Sequence, residues 1–180
     1  VHFKTPDQSF ALESFYNVVL TNSEQSWLFW LLFIAFAIKM PVFPFHTWQP
    51  DTYEQSNTAV TMVLSGIMVK MGIFGLLRWL APVLPIATWA WGDTISTLCV
   101  IGMIYASLVA MKQDDLKRLI AYSSIVHVGL MCLAIFATNE MAIQGAIIQM
   151  FNHGVNIIGL WIVVELIERQ FGTRKISELG

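Results

Sequence analysis

Four side chains in this sequence could move protons: Lys39, Lys70, His127 and His153. Lys70 lies near the centre of a broadly apolar run from Val60 to Leu80. At 1.5 Å per residue it is about 15 Å from the end of that run, the middle of a hydrocarbon core roughly 30 Å thick. A lysine at that depth costs about 2.5–3.5 kcal/mol on insertion scales, and long side chains snorkel only near helix ends. Two readings answer that cost: an ion pair inside a helix bundle, or an amine poised to take and give a proton. Lys39 stands just before Pro41 and Pro44, two and five residues on. Proline removes a backbone donor and disturbs the preceding turn, and interrupted membrane helices mark ion sites in transporters. Its other reading is an interfacial lysine at a helix end. His127 follows Ser123 by one helical turn, and His153 belongs to the stripe Gln149, Asn152, His153, Asn156, spaced i, i+3, i+4, i+7. Such a stripe faces a bundle interior or water, either as helix–helix glue or as a wet hydrogen-bonded path. Histidine suits a path because its ordinary pKa is about 6.5 and it has two ring nitrogens.

The elements that must hold these residues are membrane helices. The chain is 56% hydrophobic and 12% charged, against about 25% charged in soluble domains. Residues 1–26 form a polar segment. The first expected span begins at Trp27 and breaks near Lys39–Pro44 before HTWQPD. The others run from Val60 to Leu80, Trp91 to Ala110, Leu119 to Ala137 and Met141 to Ile167, followed by a polar tail. The charged stretch KQDDLKR reads as a loop and helix start, with acids at the helix N-terminus favoured by the dipole. Glu165 and Glu168, beside Arg169, read as a solvated rim. With five spans, Lys4 and Arg78 fall on one side, and Lys112, Lys117, Arg118, Arg169, Arg174 and Lys175 on the other. The positive-inside rule then places the C-terminal end in the cytoplasm.

Several function classes drop out. The formal net charge of −2 leaves no nucleic-acid footprint. Cys99 and Cys132 lie in apolar runs without metal-ligand or iron–sulfur spacing and read as small buried hydrophobes. There is no phosphate loop, nucleophile elbow or pair of catalytic carboxylates. A chain that starts at Val1 and stops in a polar segment reads as a fragment of a longer protein.

The stretches FAIKMPVFPFHTWQPDTYEQSNTAVTMVLSGIMVKMGIFGLLRW, DDLKRLIAYSSIVHVGL and GAIIQMFNHGVNIIGL resemble the subunit M family of bacterial NADH-quinone oxidoreductase, which includes mitochondrial NADH dehydrogenase chain 4. The resemblance covers about Trp27 to Gly180. HxWxPD and KRLxAYSSxxHxG fit any antiporter-like relative, whereas VKMGIFGLLRW points to subunit M over its L and N relatives. The resemblance implies a fourteen-helix subunit of which this chain matches the seventh to eleventh helices. Lys39 matches the lysine of the discontinuous seventh helix and Lys70 the connecting lysine of the eighth. His127 and His153 match the polar-axis histidines of the tenth and eleventh. It also implies two partners outside this chain, a glutamate on the fifth helix and an acidic exit residue on the twelfth. Gln49 and Asn57 depart from the family, which often has Leu and Pro there; both are expected in a loop.

The expectation is therefore an all-α polytopic transmembrane bundle with a discontinuous first helix, residues 27–180 forming an antiporter-like domain in a cell inner membrane. Lys39, Lys70, His127 and His153 form the expected proton relay. The resemblance implies a translocase that moves protons while NADH is oxidised elsewhere in the complex. FMN, iron–sulfur clusters and quinone are expected in other subunits, with no cofactor or metal here. The expected partners are the L and N relatives and lipid, with no nucleic acid. Two alternatives stand beside it: a subunit of a multi-subunit Na⁺/H⁺ antiporter, and a purely structural membrane subunit with its lysines locked in ion pairs.

Overall fold

The computed structural model describes Lys4, Thr5 and residues 8–179. Residues 1–3, 6 and 7 of the expected polar segment, Asp7 among them, and Gly180 lie outside the described residues. The described residues form helices α1 (Leu12–Tyr16), α2 (Asn22–Lys39), α3 (Trp48–Gln55), α4 (Thr58–Val83), α5 (Pro85–Ala110), α6 (Leu116–Phe136) and α7 (Glu140–Phe171), then a 3-10 turn (Ile176–Glu178). Among them there is no strand, only an isolated bridge between Asp115 and Lys175.

Helices α4 to α7 are each long and apolar enough to cross a membrane, so the chain is a multi-pass membrane protein. The first of the five expected spans is not a single helix. It is split into α2 and α3, and neither piece reaches spanning length with sufficient apolarity. Thr21 and Glu24 form a capping box at the start of α2. The helix ends at Lys39, ahead of Pro41 and a cis Phe43–Pro44 bond. The freed Ile38 carbonyl accepts the Trp48 indole N–H at 2.8 Å, which meets the requirement that a broken membrane helix re-satisfy its backbone. Phe43 packs on Gly102 of α5, where an added Cβ would come within 2.6 Å of the Phe43 Cβ.

Of the two residues expected in a loop at the break, Gln49 is not and Asn57 is. Helix resumes at Trp48, so Gln49 lies in α3 rather than in a loop. Pro50 is tolerated because it falls in the first turn, where backbone N–H groups have no intrahelical acceptor. Asn57, standing where the family often has Pro, is the N-cap of α4, and its side-chain oxygen accepts the Ala59 N–H at 3.0 Å.

Helix α4 contains two π-helical stretches, Leu64–Met68 and Leu76–Leu80. The second precedes Pro82, which cannot donate to the Arg78 carbonyl one turn back; Tyr16 donates its hydroxyl there instead, at 3.0 Å. Helix α5 begins at Pro85, six residues before the expected Trp91. Buried Gln25 explains the extension: its amide oxygen accepts the Ile86 and Ala87 N–H groups at 3.1 and 3.3 Å, donors a helix start leaves free. Asp115 caps α6 and Asn139 caps α7, and Gly172 closes α7 in the left-handed region. The core lies among α2, α4, α5 and α6 around Phe29, Phe33, Leu76, Ile95 and Phe136.

Candidate functional site

Lys70 projects from α4 toward α7 and is 7% exposed. The two helices approach closely here because both crossing residues lack side chains. A Cβ on Gly154 would lie 3.2 Å from the Gly66 carbonyl oxygen and 4.0 Å from the Lys70 Cε. The Lys70 ammonium donates to the Ser65 carbonyl. Among the described residues no carboxylate pairs with it. A buried ammonium held by one neutral acceptor differs from the compensated ion pair that a structural reading requires.

Beside Gly154, His153 is 5% exposed and its Nδ1 has no hydrogen-bond partner. Its ring lies 5.2 Å from that of His127 on α6, centroid to centroid. Lys70 is within electrostatic range of both histidines. The Gln149 amide meets His127 Nδ1 at 3.2 Å; with the amide as donor, the neutral ring carries its proton on Nε2. The two histidines, Ser123, Ser124, Gln149 and Asn156 line a cavity of about 70 Å³. At about 30 Å³ per liquid water that is room for about two molecules among several polar partners. A cation, two imidazoles and a small polar cavity can together pass a proton through alternating donor and acceptor states.

The structure brings together three of the four residues singled out in the sequence. Lys39 stands apart. It ends α2 at the break, where the helix dipole favours a cation, and its side chain is exposed, without a hydrogen bond or ion pair among the described residues. The Ile38 carbonyl beside it is taken by Trp48. The polar stripe of α7 also divides: His153 is buried, Gln149 half-buried, and Asn152 and Asn156 exposed on this chain. His127 is exposed as well.

Three buried polar residues at the site were not singled out. Gln49 is fully buried on α3 and reaches Ser124 Oγ at 3.4 Å. Ser65 and Trp161, both 0% exposed, share a hydrogen bond at 2.8 Å. Ser65 precedes Lys70 by five residues, and its backbone carbonyl, within the π-helical stretch Leu64–Met68, accepts the ammonium. Glu165 and Glu168 are more than a solvated rim. Thr58 and Arg169 bond Glu165, while Lys117 and Arg174 lie 3.8 Å from Glu168. Among the described residues no group of His, Cys, Asp and Glu could hold a metal ion.

A wider groove of about 760 Å³ separates the outer faces of α4 and α7. Lys70 and Arg78 are its cations, among apolar side chains such as Met71, Phe74, Ile147 and Phe151.

The comparisons with known proteins agree with this geometry. NADH-quinone oxidoreductase subunit M of Rickettsia prowazekii is 44% identical over 156 residues, 87% of this chain and 32% of that protein. The subunit M of Escherichia coli K12 is 38% identical over 181 residues, 100% of this chain and 36% of that protein. The chain thus spans about a third of the length of these curated relatives. Among solved structures, a chain of respiratory complex I from Thermus thermophilus superposes with a TM-score of 0.89 at 26% identity, covering 97% of this chain and 38% of that one. A chain of the Mrp complex from Dietzia gives 0.73 at 30% identity, covering 86% and 17%. The family described as "NADH:quinone oxidoreductase/Mrp antiporter, TM" matches residues 3–180. A multi-pass helical chain with a broken helix, a buried lysine and facing histidines, matched over nearly its whole length, belongs to the NADH:quinone oxidoreductase/Mrp antiporter transmembrane family.

Proposed function

We propose that this chain is part of a proton-translocating subunit M in the membrane arm of an NADH:quinone oxidoreductase. Lys70, His153 and His127 form the mid-membrane part of its proton path, and Lys39 is a second titrating site at the broken helix. The observation that carries this reading is Lys70 itself: a buried ammonium with no carboxylate partner among the described residues, beside two histidines that share a polar cavity. The curated relatives named subunit M support the complex I assignment over an antiporter complex.

The mechanism is electrostatic. Two like charges within several ångströms disfavour joint ionisation, so a proton arriving at Lys70 tends to drive one off the histidines, and the sites titrate as a coupled set. A charge change at Lys39, set by a neighbouring segment or subunit, biases Lys70 in the same way. The exposed His127, Asn152, Asn156 and Lys39 face parts of the longer subunit, because hydrocarbon would not tolerate them. NADH oxidation, with its flavin, iron–sulfur clusters and quinone, belongs to other subunits. The antiporter-like L and N relatives are neighbours in the membrane arm. The membrane is the cell inner membrane. Its cytoplasmic side is the end carrying Lys117, Arg118 and Arg174, in accord with the positive-inside rule.

The test is NADH-driven proton uptake into vesicles by the complete complex carrying Lys70→Met, Lys70→Ala or Lys70→Arg, with assembly followed in parallel. All three should assemble and pump poorly, arginine included, since it holds its proton at any physiological pH. Full pumping by Lys70→Arg would make the charge a fixed structural one. Full pumping by Lys70→Met would remove the charge from the mechanism.

A further inference from the structure

The acceptor that holds Lys70 is a backbone carbonyl whose position is itself held by side chains. Ser65 lies in the π-helical stretch Leu64–Met68, and its carbonyl accepts the Lys70 ammonium. Its hydroxyl donates to the Thr61 carbonyl at 2.7 Å, a bond to the preceding turn of the kind that bends helices. The same hydroxyl oxygen accepts the Trp161 indole N–H of α7 at 2.8 Å. Thr61, Ser65 and Trp161 are all 0% exposed. Trp161 is braced in turn by Tyr53 of α3, whose ring meets it edge-on at 5.6 Å. Both hydrogen bonds are dry, so neither donor has water to fall back on if its acceptor is removed.

We infer that Ser65 and Trp161 are positioning residues for Lys70: the indole fixes the Ser65 hydroxyl, and with it the π-helical turn whose carbonyl holds the ammonium. The inference rests on the relay reading of Lys70 and adds to it two residues that touch no proton on the path. It also ties the lysine to α3, the second half of the broken helix, through Tyr53.

The purified, fully assembled complex, reconstituted into liposomes, provides the test. Lys70-dependent uptake is the proton uptake per NADH oxidised in the parent minus that in Lys70→Met. Trp161→Phe keeps an aromatic ring without its N–H, Ser65→Ala removes the hydroxyl, and Ser65→Thr retains it. Each of the first two should lower Lys70-dependent uptake about fivefold, the equivalent of one lost hydrogen bond. The double variant should fall no further, because the pair acts as one unit, and Ser65→Thr should pump better than Ser65→Ala. A residue that merely stabilises the fold would change the yield of complex, not the protons per electron in the complex recovered. Parental stoichiometry in Trp161→Phe, additive losses in the double variant, or Ser65→Thr no better than Ser65→Ala would each overturn the inference while leaving Lys70 in place. Parental stoichiometry in Lys70→Met would overturn the relay reading and this inference with it.

Discussion

Lys70 midway along α4 and Arg118 at the charged end of the bundle are both cations on long helices, yet their surroundings differ in kind. Arg118 donates to Asp51 at 3.0 Å, to Glu54 at 2.6 Å and to Gln113 at 3.2 Å. Arg174, in the tail, donates to Asp115 at 2.5 Å and approaches Glu54 and Glu168 at 3.8 Å. This network ties α3, the α5–α6 connection and the C-terminal tail together, so each charge there has an opposite charge and a fixed place. Lys70 has a carbonyl and two imidazoles nearby and no acid among the described residues. A matched charge gains most by staying as it is, whereas an unmatched one can change state at small cost. In this chain, pairing separates the cations that hold helices together from Lys70, the buried cation proposed to carry protons.

The largest expected effect breaks the comparison at its centre. Lys70→Met should assemble normally and lose about a hundredfold of the subunit's own proton uptake, the lower range for a positioned proton-transfer group. Arg118→Met should do the reverse. Asp51 loses its partner and Glu54 the nearer of its two, so assembled complex should be less heat-stable, by about 2 kcal/mol, since the contact is only partly screened by solvent. Proton uptake per assembled complex should stay within about twofold of the parent, the size of a surface effect below 0.5 kcal/mol. Thermal inactivation alongside uptake measurements checks both halves. If Arg118→Met lost uptake per complex as severely as Lys70→Met, the division between holding and relaying charges would fail.

A smaller effect is expected at His153. Its Nδ1 is buried and unpartnered, so His153→Gln should assemble and lower uptake about fivefold, comparable to one hydrogen-bonded contact. The same change at His127, which is exposed and already bonded by Gln149, should lower it less. Equal uptake in His153→Gln and parent would confine the path to Lys70.

The smallest effect belongs to Asp114, outside the spans in the α5–α6 connection. The Ser177 backbone N–H, then its hydroxyl, hold the Asp114 carboxyl below the usual carboxylate range, with Lys175 adding attraction. A depressed carboxylate pKa contributes stability that is present above the unfolded value, about 4. That contribution is lost as pH falls through the lower folded value. Hydrogen exchange at Ser177 should therefore speed up as pH drops below about 4, after correction for intrinsic rates. In Asp114→Asn the acceleration should be absent. An unchanged pH profile in that variant would assign the tail's attachment to the Arg174 network alone.

Much of this molecule is legible in one dimension because membrane helices are governed by local rules. Length and apolarity mark α4 to α7, Pro41 and Pro44 mark the break, and Asp115 before Leu116 marks a cap. Lys70 announces itself by depth, since few forces keep a charge in hydrocarbon. Local rules also explain the errors. Pro50 masks a helix start, so Gln49 reads as loop although it lies in α3, and α5 starts early because its first donors are met by Gln25, 61 residues away.

The helical class, the membrane-crossing helices, the break at Pro41 and Pro44, and a lysine midway along its apolar run can all be read along the chain. Each of those follows from composition and spacing along a single helix. What Lys70 touches, the facing of His127 and His153, and the bond from Trp161 to Ser65 emerge only in the folded bundle. Those contacts join segments up to 96 residues apart or depend on π-helical winding that shifts the register of side chains around the helix. No periodicity within one segment encodes the contacts between helices, because they exist only once α7 has packed against α6 and, at the close crossing of Gly66 and Gly154, against α4.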